Sequence, residues 1–333
     1  MLPESVAPMH PTRRTPRITS HPDGVHAIDA EYLRPGAAAV HLIVQDGRAA
    51  FVDPATNNSV PCLLSALEQL GIAPASVDYL FLTHIHLDHA GGAGLLLRSL
   101  PNARVVLHPR GVAHMIDPSR LMSASRAVYG EERFAHLYGD ILPIPAERIV
   151  AVADGEHCRL AGREFELLHT PGHAIHHYVI VDPAHACVFA GDTFGVSYRE
   201  LDTAAGPFIA PATTPPHFDP VQAAQSIQRI MSYGPASIYL MHYSRVTGLP
   251  RLSALLLRQL DEYVAIAERH EHAAAPYEAI RSDLLTLWLE LLRAEGSRVP
   301  PAEVVQVLGL DADLNAQGLV AWLERRQRNK LSG

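Results

Sequence analysis

Lysine is almost absent from this sequence. Its 333 residues include a single lysine, Lys330, which lies close to the last residue. A Walker-type phosphate loop needs a lysine that reaches the phosphates, and a Schiff-base enzyme needs one in its active site. A lysine at this position serves neither purpose, so both classes of enzyme are excluded.

Cysteine is scarce as well. The sequence has three cysteines, Cys62, Cys158 and Cys187, and no two of them are separated by only two residues. An odd number without that spacing predicts neither a disulfide framework nor a cysteine-based zinc site. We therefore expect a reducing compartment.

Long hydrophobic runs and an excess of positive charge are also missing. No apolar run approaches the roughly 20 residues of a membrane-spanning helix, and no signal-peptide core follows Arg13, Arg14 and Arg17. The net charge is −8, whereas proteins that neutralise many phosphates usually present a basic face. We expect a cytoplasmic protein that binds neither a membrane nor a nucleic acid.

Hydrophobic residues are abundant, at 48% of the chain, so a sizeable core can form and bulk disorder is excluded. Shifts in composition divide the chain into three predicted regions. Residues 1–17 are predicted to be a flexible N-terminal arm. Residues 18–247, where short strands alternate with helices, form an α/β domain, and residues 248–333 form a C-terminal helical region.

The hydrophobic pattern predicts individual elements. Strands are expected at 40–45, 49–53, 77–83, 104–108, 158–160, 163–169, 177–182, 186–190 and 236–241. Helices are expected at 61–70, 118–139 and 220–233, after Pro250, after Pro276, and as two short helices at 301–308 and 313–328. The helix after Pro276 carries a wide apolar stripe that includes Trp288. Such a stripe must be buried against the main domain or against a second subunit, which would make a homodimer.

Histidine is the residue whose positions carry chemistry. Four ligand-type side chains lie within six positions: His84, His86, Asp88 and His89. They follow the predicted strand 77–83, and residues two apart in extended backbone point the same way. Imidazole and carboxylate groups suit zinc and iron. The run therefore predicts a metal site at the end of a strand.

This run, with the Gly91-Gly92 pair that follows it, resembles the first metal motif of the metallo-β-lactamase-fold hydrolases. Further segments resemble that family's later motifs in order: His169-Thr170-Pro171-Gly172-His173, Ala190-Gly191-Asp192-Thr193, Leu240-Met241-His242 and, early in the chain, Phe51-Val52-Asp53. The resemblance covers residues from about 20 to 245. It points to the branch of glyoxalase II, lactonases and thioesterases. It implies a four-layer αββα sandwich, to which this chain would add a C-terminal α-helical appendage.

The resemblance also implies two divalent metal ions, zinc first, with iron or manganese as alternatives. One ion would be held by His84, His86 and His173. The other would be held by Asp88, His89 and His242. Asp192 would bridge both ions, and Asp53 and Thr83 would orient the ligands.

The implied catalyst is a hydroxide that bridges the two ions, with Asp88 and Asp192 as the catalytic carboxylates. Asp88 would carry a proton from the nucleophile to the leaving group. Tyr32, His177 and Tyr198 are candidates for the substrate pocket, and His176 is a further candidate beside His177.

The favoured reaction is hydrolysis of an ester-like acyl bond, a thioester or a lactone, in a small-molecule substrate. Glyoxalase II itself is disfavoured, because its motif has a histidine where this chain has Ile85. Three alternatives stay open. They are a phosphodiesterase of the same fold, a redox enzyme like the sulfur dioxygenases, and a metal-binding signalling protein that acts through its helical tail.

Overall fold

The computed structural model describes residues 15–332, so most of the predicted arm lies outside the described residues. Its strands are β1 (Ile18–Ser20), β2 (Val25–Asp29), β3 (Ala39–Gln45), β4 (Arg48–Val52), β5 (Val77–Leu82), β6 (Arg104–Leu107), β7 (Ile149–Ala151), β8 (Glu156–Leu160), β9 (Arg163–His169), β10 (Tyr178–Asp182), β11 (Cys187–Gly191), β12 (Ser237–Leu240) and β13 (Ser244–Val246). Its helices are α1 (Val60–Gln69), α2 (Leu87–Ala90), α3 (Ala93–Leu97), α4 (Val112–Ile116), α5 (Ser119–Tyr129), α6 (Glu131–Leu137), α7 (Pro220–Ser232), α8 (Leu249–Arg269), α9 (Pro276–Ala294) and α10 (Pro301–Ser332).

The strands form two mixed sheets. In the first sheet β1 to β7 lie side by side in chain order, and the parallel pairs run from β4 to β7. The second sheet has the order β13-β12-β11-β10-β9-β8, with one parallel pair, β11 and β12. Tight turns at Asp46-Gly47 and Ala161-Gly162 join β3 to β4 and β8 to β9 as antiparallel hairpins.

The two sheets pack face to face, and each carries helices on its outer face. Strand β5 shows how the sequence produces this arrangement, because successive side chains point to opposite faces of a sheet. Leu80 and Leu82 belong to the core under the helices, whereas Phe81 belongs to the core between the sheets. There its ring meets that of Phe165 from the second sheet, 6.0 Å away edge to face. The predicted αββα sandwich is therefore confirmed.

Helices α8, α9 and α10 form an appendage on the outer face of the second sheet, where they share one apolar core with α7. The apolar stripe of α9 is buried there, as its width requires. Trp288 is fully buried and its Nε1 donates to the hydroxyl of Tyr263 on α8 at 2.8 Å. Homodimerisation through these helices stays a prediction, and so do the domain boundaries.

The prediction of two short helices after residue 300 was wrong, because α10 is continuous over Pro301–Ser332. Its buried residues follow a single stripe with helical spacing: Leu308, Ala312, Ala316, Leu319 and Leu323. The stripe stays on one face because each step is three or four residues. Conversely, the predicted helix 118–139 is divided into α5 and α6 at Gly130, which has a φ of 78°.

Four strands had no counterpart in the sequence pattern: β1, β2, β7 and β13. Three of them have only three residues, too few for an alternating pattern to stand out. Among the described residues, every helix is too short or too polar to cross a lipid bilayer.

Candidate metal centre

The candidate ligands come from chain segments that leave the two sheets at one edge. His84 lies two residues after β5, Asp192 directly follows β11, and His242 lies two residues after β12. The turn before Asp192 requires Gly191, which has a φ of 46°. A Cβ atom there would lie 2.4 Å from Thr83 Oγ1. A larger residue would therefore push apart the strand ends that carry His84 and Asp192.

All seven side chains predicted as ligands meet at this edge. Three overlapping groups have ligand atoms that lie within 4.8 Å of one another: His84, His86 and His173; His84, His89 and Asp192; and Asp88, His89 and His242. The first and third groups match the two predicted ligand sets. The middle group joins Asp192 to a histidine from each set, which is the arrangement expected of a bridging carboxylate.

Individual distances show how tightly the groups converge. His86 Nδ1 lies 3.0 Å from His84 Nε2 and 3.0 Å from His173 Nε2. The two oxygens of Asp192 face different sets, with Oδ1 3.2 Å from His89 Nε2 and Oδ2 3.5 Å from His173 Nε2. Asp88 Oδ2 lies 3.4 Å from His242 Nε2. Eight donor atoms from seven side chains thus surround one small volume.

Four of the histidines are anchored through the ring nitrogen that faces away from this volume. His89 Nδ1 lies 2.9 Å from Asp53 Oδ2, and His84 Nδ1 lies 3.2 Å from Thr83 Oγ1. The Nδ1 atoms of His173 and His242 contact backbone carbonyls, those of Ala212 at 2.9 Å and Ala37 at 2.8 Å. Such outer partners fix the ring orientation and leave each Nε2 free to bind a metal.

Asp53 and Thr83 occupy the supporting positions expected of them. Asp53 is buried, and its carboxylate accepts from the Thr83 backbone N–H at 2.8 Å and from Thr83 Oγ1 at 2.7 Å, besides facing His89. One carboxylate therefore joins the end of β5 to the ring of His89.

Burial and neighbouring charges shift the pKa values of the cluster in different directions. Burial lowers the pKa of His84 well below its usual value, and the neighbouring histidines lower it further. Burial also opposes the charged form of His89, but Asp192, Asp53 and Asp88 outweigh it and raise its pKa. Burial alone would raise the pKa of Asp192, yet His89 and His173 hold it well below its usual value. A cation entering the cluster would therefore meet an anionic Asp192 and displace the proton from His89.

A separate observation, two buried polar atoms without hydrogen-bond partners, also shows that the cluster fits divalent metal ions. His89 Nε2 and Asp192 Oδ1 are buried and have no hydrogen-bond partner, although both belong to polar groups. Buried polar atoms are nearly always satisfied, so an orphaned pair that faces one volume indicates a missing partner. The set of imidazoles and carboxylates suits zinc, iron and manganese alike.

The three predicted pocket residues lie in different surroundings. Tyr32 is buried and its hydroxyl lies 2.8 Å from that of Tyr138. His177 stacks on His84 with ring centroids 4.8 Å apart, and Asp192 N donates to its Nε2 at 3.3 Å. The ring of Tyr198 lies 6.4 Å from that of His242. None of these three borders the main cavity described next.

That cavity, of about 290 Å³, opens beside the candidate ligands and borders His86, Asp88 and Asp192. The sequence pointed to one of its other lining residues, His176, which is buried with an unpartnered Nδ1. Arg110 and Arg120 also line the cavity and gave no local signal in the sequence.

The appendage reaches the site as well. Leu314 of α10 lines the cavity, and Asp311 of α10 accepts a hydrogen bond from the Tyr198 hydroxyl at 3.2 Å. Burial raises the pKa of Asp311 to about 6. No motif predicted these contacts, because α10 lies more than 100 residues from Tyr198 in the chain. Helix α10 therefore forms part of the cavity wall.

Comparison with known proteins gives this geometry a family context. The family model described as "Metallo-beta-lactamase superfamily" matches residues 33–242, a span that contains every candidate ligand. The protein "Metallo-beta-lactamase fold-containing protein ST1585" of Sulfurisphaera tokodaii is 26% identical over 243 residues, which are 71% of this chain and 84% of that protein. Hydroxyacylglutathione hydrolase of Aeromonas hydrophila is 29% identical over 155 residues. That match covers 46% of this chain, and the chain spans 45% of the relative's length.

Two solved structures share the fold along nearly the whole chain. The structure of ST1585 from Sulfolobus tokodaii covers 89% of this chain and 98% of its own, with a TM-score of 0.62 and 21% identity. The structure of TTHA1429 from Thermus thermophilus covers 91% of this chain and 94% of its own, with a TM-score of 0.64 and 18% identity. At these identities the likeness concerns the fold alone.

Proposed function

This chain belongs to the metallo-beta-lactamase superfamily, and on that premise we propose that it is a dinuclear metal-dependent hydrolase of an ester-like acyl bond, a thioester or a lactone. The observation that carries the proposal is the chain of three overlapping ligand groups, which share His84 and His89 and place Asp192 between the two outer groups. A single structural ion would need only one of these groups. Three groups that share members supply enough donors for two ions.

Bound at this edge, two divalent ions would supply a nucleophile derived from water and polarise the acyl oxygen. The protein's own part is to hold the donors and to move a proton. Asp88 borders the cavity, and its carboxylate lies 3.4 Å from His242 Nε2. Burial alone would raise the pKa of Asp88, but His89 and His242 lower it, so the group is ionised and can accept a proton.

In the proposed reaction the acyl–sulfur or acyl–oxygen bond breaks and a carbon–oxygen bond to the water oxygen forms. The product is a carboxylate; one water proton passes through Asp88 to the leaving thiol or alcohol, and the other is released to solvent. No oxidant or reductant is required.

An acyl substrate is supported by the cavity wall nearest the ligands. Ile85 and Leu87 alternate with His84, His86 and Asp88, and both apolar side chains line the cavity. Such a wall suits a neutral, largely apolar acyl group. The similarity to a protein named hydroxyacylglutathione hydrolase points to the same kind of bond.

The test combines metal content with turnover. Purified chain, loaded with zinc, manganese or iron, is expected to bind about two ions per chain. It should hydrolyse members of a panel of short-chain thioesters and lactones. Chelation should abolish the activity and metal should restore it.

Other outcomes would redirect the assignment. Turnover of bis(p-nitrophenyl) phosphate without any acyl turnover would favour the phosphodiesterase. Oxygen consumption with a persulfide would favour the redox alternative. A chain that binds metal but turns over none of these compounds would overturn the proposal.

A further inference from the structure

We propose that the substrate of this cavity is an acyl compound with an apolar body and one anionic group, and that Arg110 and Arg120 bind the anion at the cavity mouth. This inference rests on the proposed hydrolytic function, whose site the cavity adjoins. It names a substrate class, and the position of the charge within the substrate, that the metal ligands alone do not specify.

The interior of the cavity is built for an apolar body. Helix α5 presents Leu121 and Val128 to it, and Leu314 of α10 lies in the same lining, together with Ile85 and Leu87. At about 290 Å³ the cavity lies at the lower end of the range for ligand sites, about 300–1,000 Å³. It therefore suits a short acyl chain better than a whole carrier molecule.

The charged side chains around the cavity are strongly asymmetric. Apart from Asp88 and Asp192, which belong to the ligand groups, no acidic side chain lines it among the described residues. The cationic side chains are Arg110 and Arg120, and the histidines His114, His176 and His217 also line the cavity. This asymmetry arises in a chain whose net charge is −8, so it is not a reflection of overall composition.

The two arginines are positioned to bind a ligand rather than another part of the protein. Both are exposed, and neither guanidinium forms an ion pair or a hydrogen bond with a described residue. Asp117 is close enough to Arg120 for an electrostatic interaction, but not for contact. Most other arginines among the described residues pair with carboxylates or carbonyls. Guanidinium groups suit carboxylates and phosphates, which they can bind with two parallel hydrogen bonds.

A second observation points independently to a ligand. His176 is buried, lines the cavity and has no partner for its Nδ1 atom. Its ring lies 5.8 Å from that of His86 and 6.0 Å from that of His217. Burial and its histidine neighbours lower its pKa to about 3, so the ring is neutral and offers a hydrogen bond rather than a charge. From the candidate metal ligands outward, the lining of the cavity therefore changes from the neutral His176 to apolar walls and then to the exposed guanidinium groups of the two arginines.

This gradient places the parts of the substrate. The scissile carbonyl lies at the ligand groups, the apolar body lies along α5 and α10, and the anion lies where the substrate reaches solvent. A carboxylate and a phosphate both satisfy the arginines, and they differ in charge at neutral pH.

The test uses the metal-loaded full chain and three thioesters of 2-mercaptoethanol that differ only at the far end of the acyl group. The acyl groups are hexanoyl, which is neutral, 5-carboxypentanoyl and 5-phosphonooxypentanoyl. We expect kcat/KM to be about tenfold higher for at least one anionic thioester than for the neutral one, and the difference to shrink at high salt. Comparison of the two anionic thioesters distinguishes a carboxylate from a phosphate. In Arg110→Gln/Arg120→Gln the ratio of kcat/KM for the anionic thioester to that for the neutral one should fall to about one.

The matched control is Arg258→Gln, which removes an exposed arginine of α8 outside the cavity lining. It should leave the preference unchanged. Equal rates for neutral and anionic thioesters in the wild type, or equal losses on both in the double variant, would overturn the inference.

A binding experiment separates this inference from the proposed function. Calorimetry compares hexanoate, hexyl phosphate and 1-hexanol as ligands of the wild type and the double variant. If no thioester is hydrolysed but one anion binds about tenfold more weakly to the double variant, the hydrolase proposal fails and the anion site stands. If neither anion loses affinity in the double variant, the anion site fails whatever the turnover.

Discussion

The ligand cluster and the mouth of the adjoining cavity are neighbours built in opposite ways. In the cluster, His84 and His89 are fully buried, and the ring nitrogens that face away from the site are held by Thr83 and Asp53. At the mouth, helix α5 has no buried residue and Arg110 and Arg120 have no partners among the described side chains.

The difference shows how the molecule divides its tasks. Groups that perform chemistry must be held within fractions of an ångström, so they project from the ends of central strands and carry outer partners. Groups that select a substrate need only present the right surface. Substitutions in the cluster should therefore abolish metal binding and activity together, whereas substitutions at the mouth should change substrate preference alone.

The largest effect is expected from Asp192→Ala, which removes the carboxylate whose two oxygens face His89 and His173. Loss of the metal's contribution, several kcal/mol, corresponds to a loss in kcat/KM on the order of a thousandfold. Metal content per chain, measured by elemental analysis, should fall in parallel. The control Asp261→Ala removes an exposed carboxylate of α8 and should change neither quantity. Full activity in a folded Asp192→Ala variant would show that chemistry occurs elsewhere.

A smaller loss is expected from Asp53→Asn, because Asp53 holds His89 and Thr83 but has no place in the ligand groups. Changes to such outer partners typically cost about 10–100-fold in metal affinity. A competition titration with a chromogenic chelator measures this loss. Asp46→Asn makes the same chemical change in an exposed hairpin turn and should bind metal normally. Equal affinities in both variants would contradict the anchoring role of Asp53.

The next prediction concerns Asp311 and the pH dependence of the free energy of unfolding. Burial raises its pKa to about 6, above the value of about 3.9 for an unfolded chain. The folded protein therefore holds this proton more tightly, and the free energy of unfolding falls as the pH rises from about 4 to 6. Asparagine does not titrate, so in metal-free protein the free energy of unfolding of Asp311→Asn should fall by about 1 kcal/mol less than that of the wild type over this window. The difference is no larger because solvent screens the partly exposed side chain of Asp311. Urea unfolding at several pH values measures the difference, and Asp261→Asn is the control. A gap that does not change with pH would contradict the raised pKa.

The smallest effect is expected from Val128→Ala on α5. Val128 is 38% exposed, so the substitution should leave the unfolding midpoint and the metal content unchanged. It removes apolar surface from the cavity wall, at about 0.8 kcal/mol per buried CH₂ group, so KM for a butanoyl thioester should rise about twofold to fourfold. Val221→Ala, at a residue of α7 that is 64% exposed, should not change KM. A similar rise in both variants would remove α5 from the binding site.

The same contrast explains what the sequence could predict. Most ligands are predictable because His84, His86, Asp88 and His89 are close in the chain and because each remaining ligand lies in a short motif. The sheets are predictable where strands are long or joined by tight turns, as in β3 and β4. Local patterns of this kind can be read from the sequence, because the ligands and turns are determined by residues that are close to one another in the chain.

The cavity could not be predicted in the same way. Arg110, His176 and Leu314 belong to distant parts of the chain, and only the packing of the layers brings them to one cavity. The continuity of α10 was missed for a related reason, since the residues around Gly309 suggest a break that the buried stripe overrides. Tyr32 and His177 stay predictions, since neither borders the main cavity. Each is near the ligands in sequence or in space, but each hydroxyl or ring nitrogen is engaged with a buried neighbour.

The contact between α10 and the loop before α7 bears on how this chain could have evolved and how it can be cut. Asn315 is buried, accepts from the Thr213 backbone N–H at 2.7 Å and donates to the Pro211 carbonyl at 2.9 Å. Between these two residues lies Ala212, whose carbonyl faces His173. Gly318 allows the approach, since a Cβ there would lie 1.5 Å from Thr213 O. Helix α10 thus clamps the loop whose Ala212 carbonyl orients the candidate ligand His173, and it is not a detachable module. Truncation before α10 would remove this support of His173, and exchange of tails between relatives would have to carry the clamped loop with it.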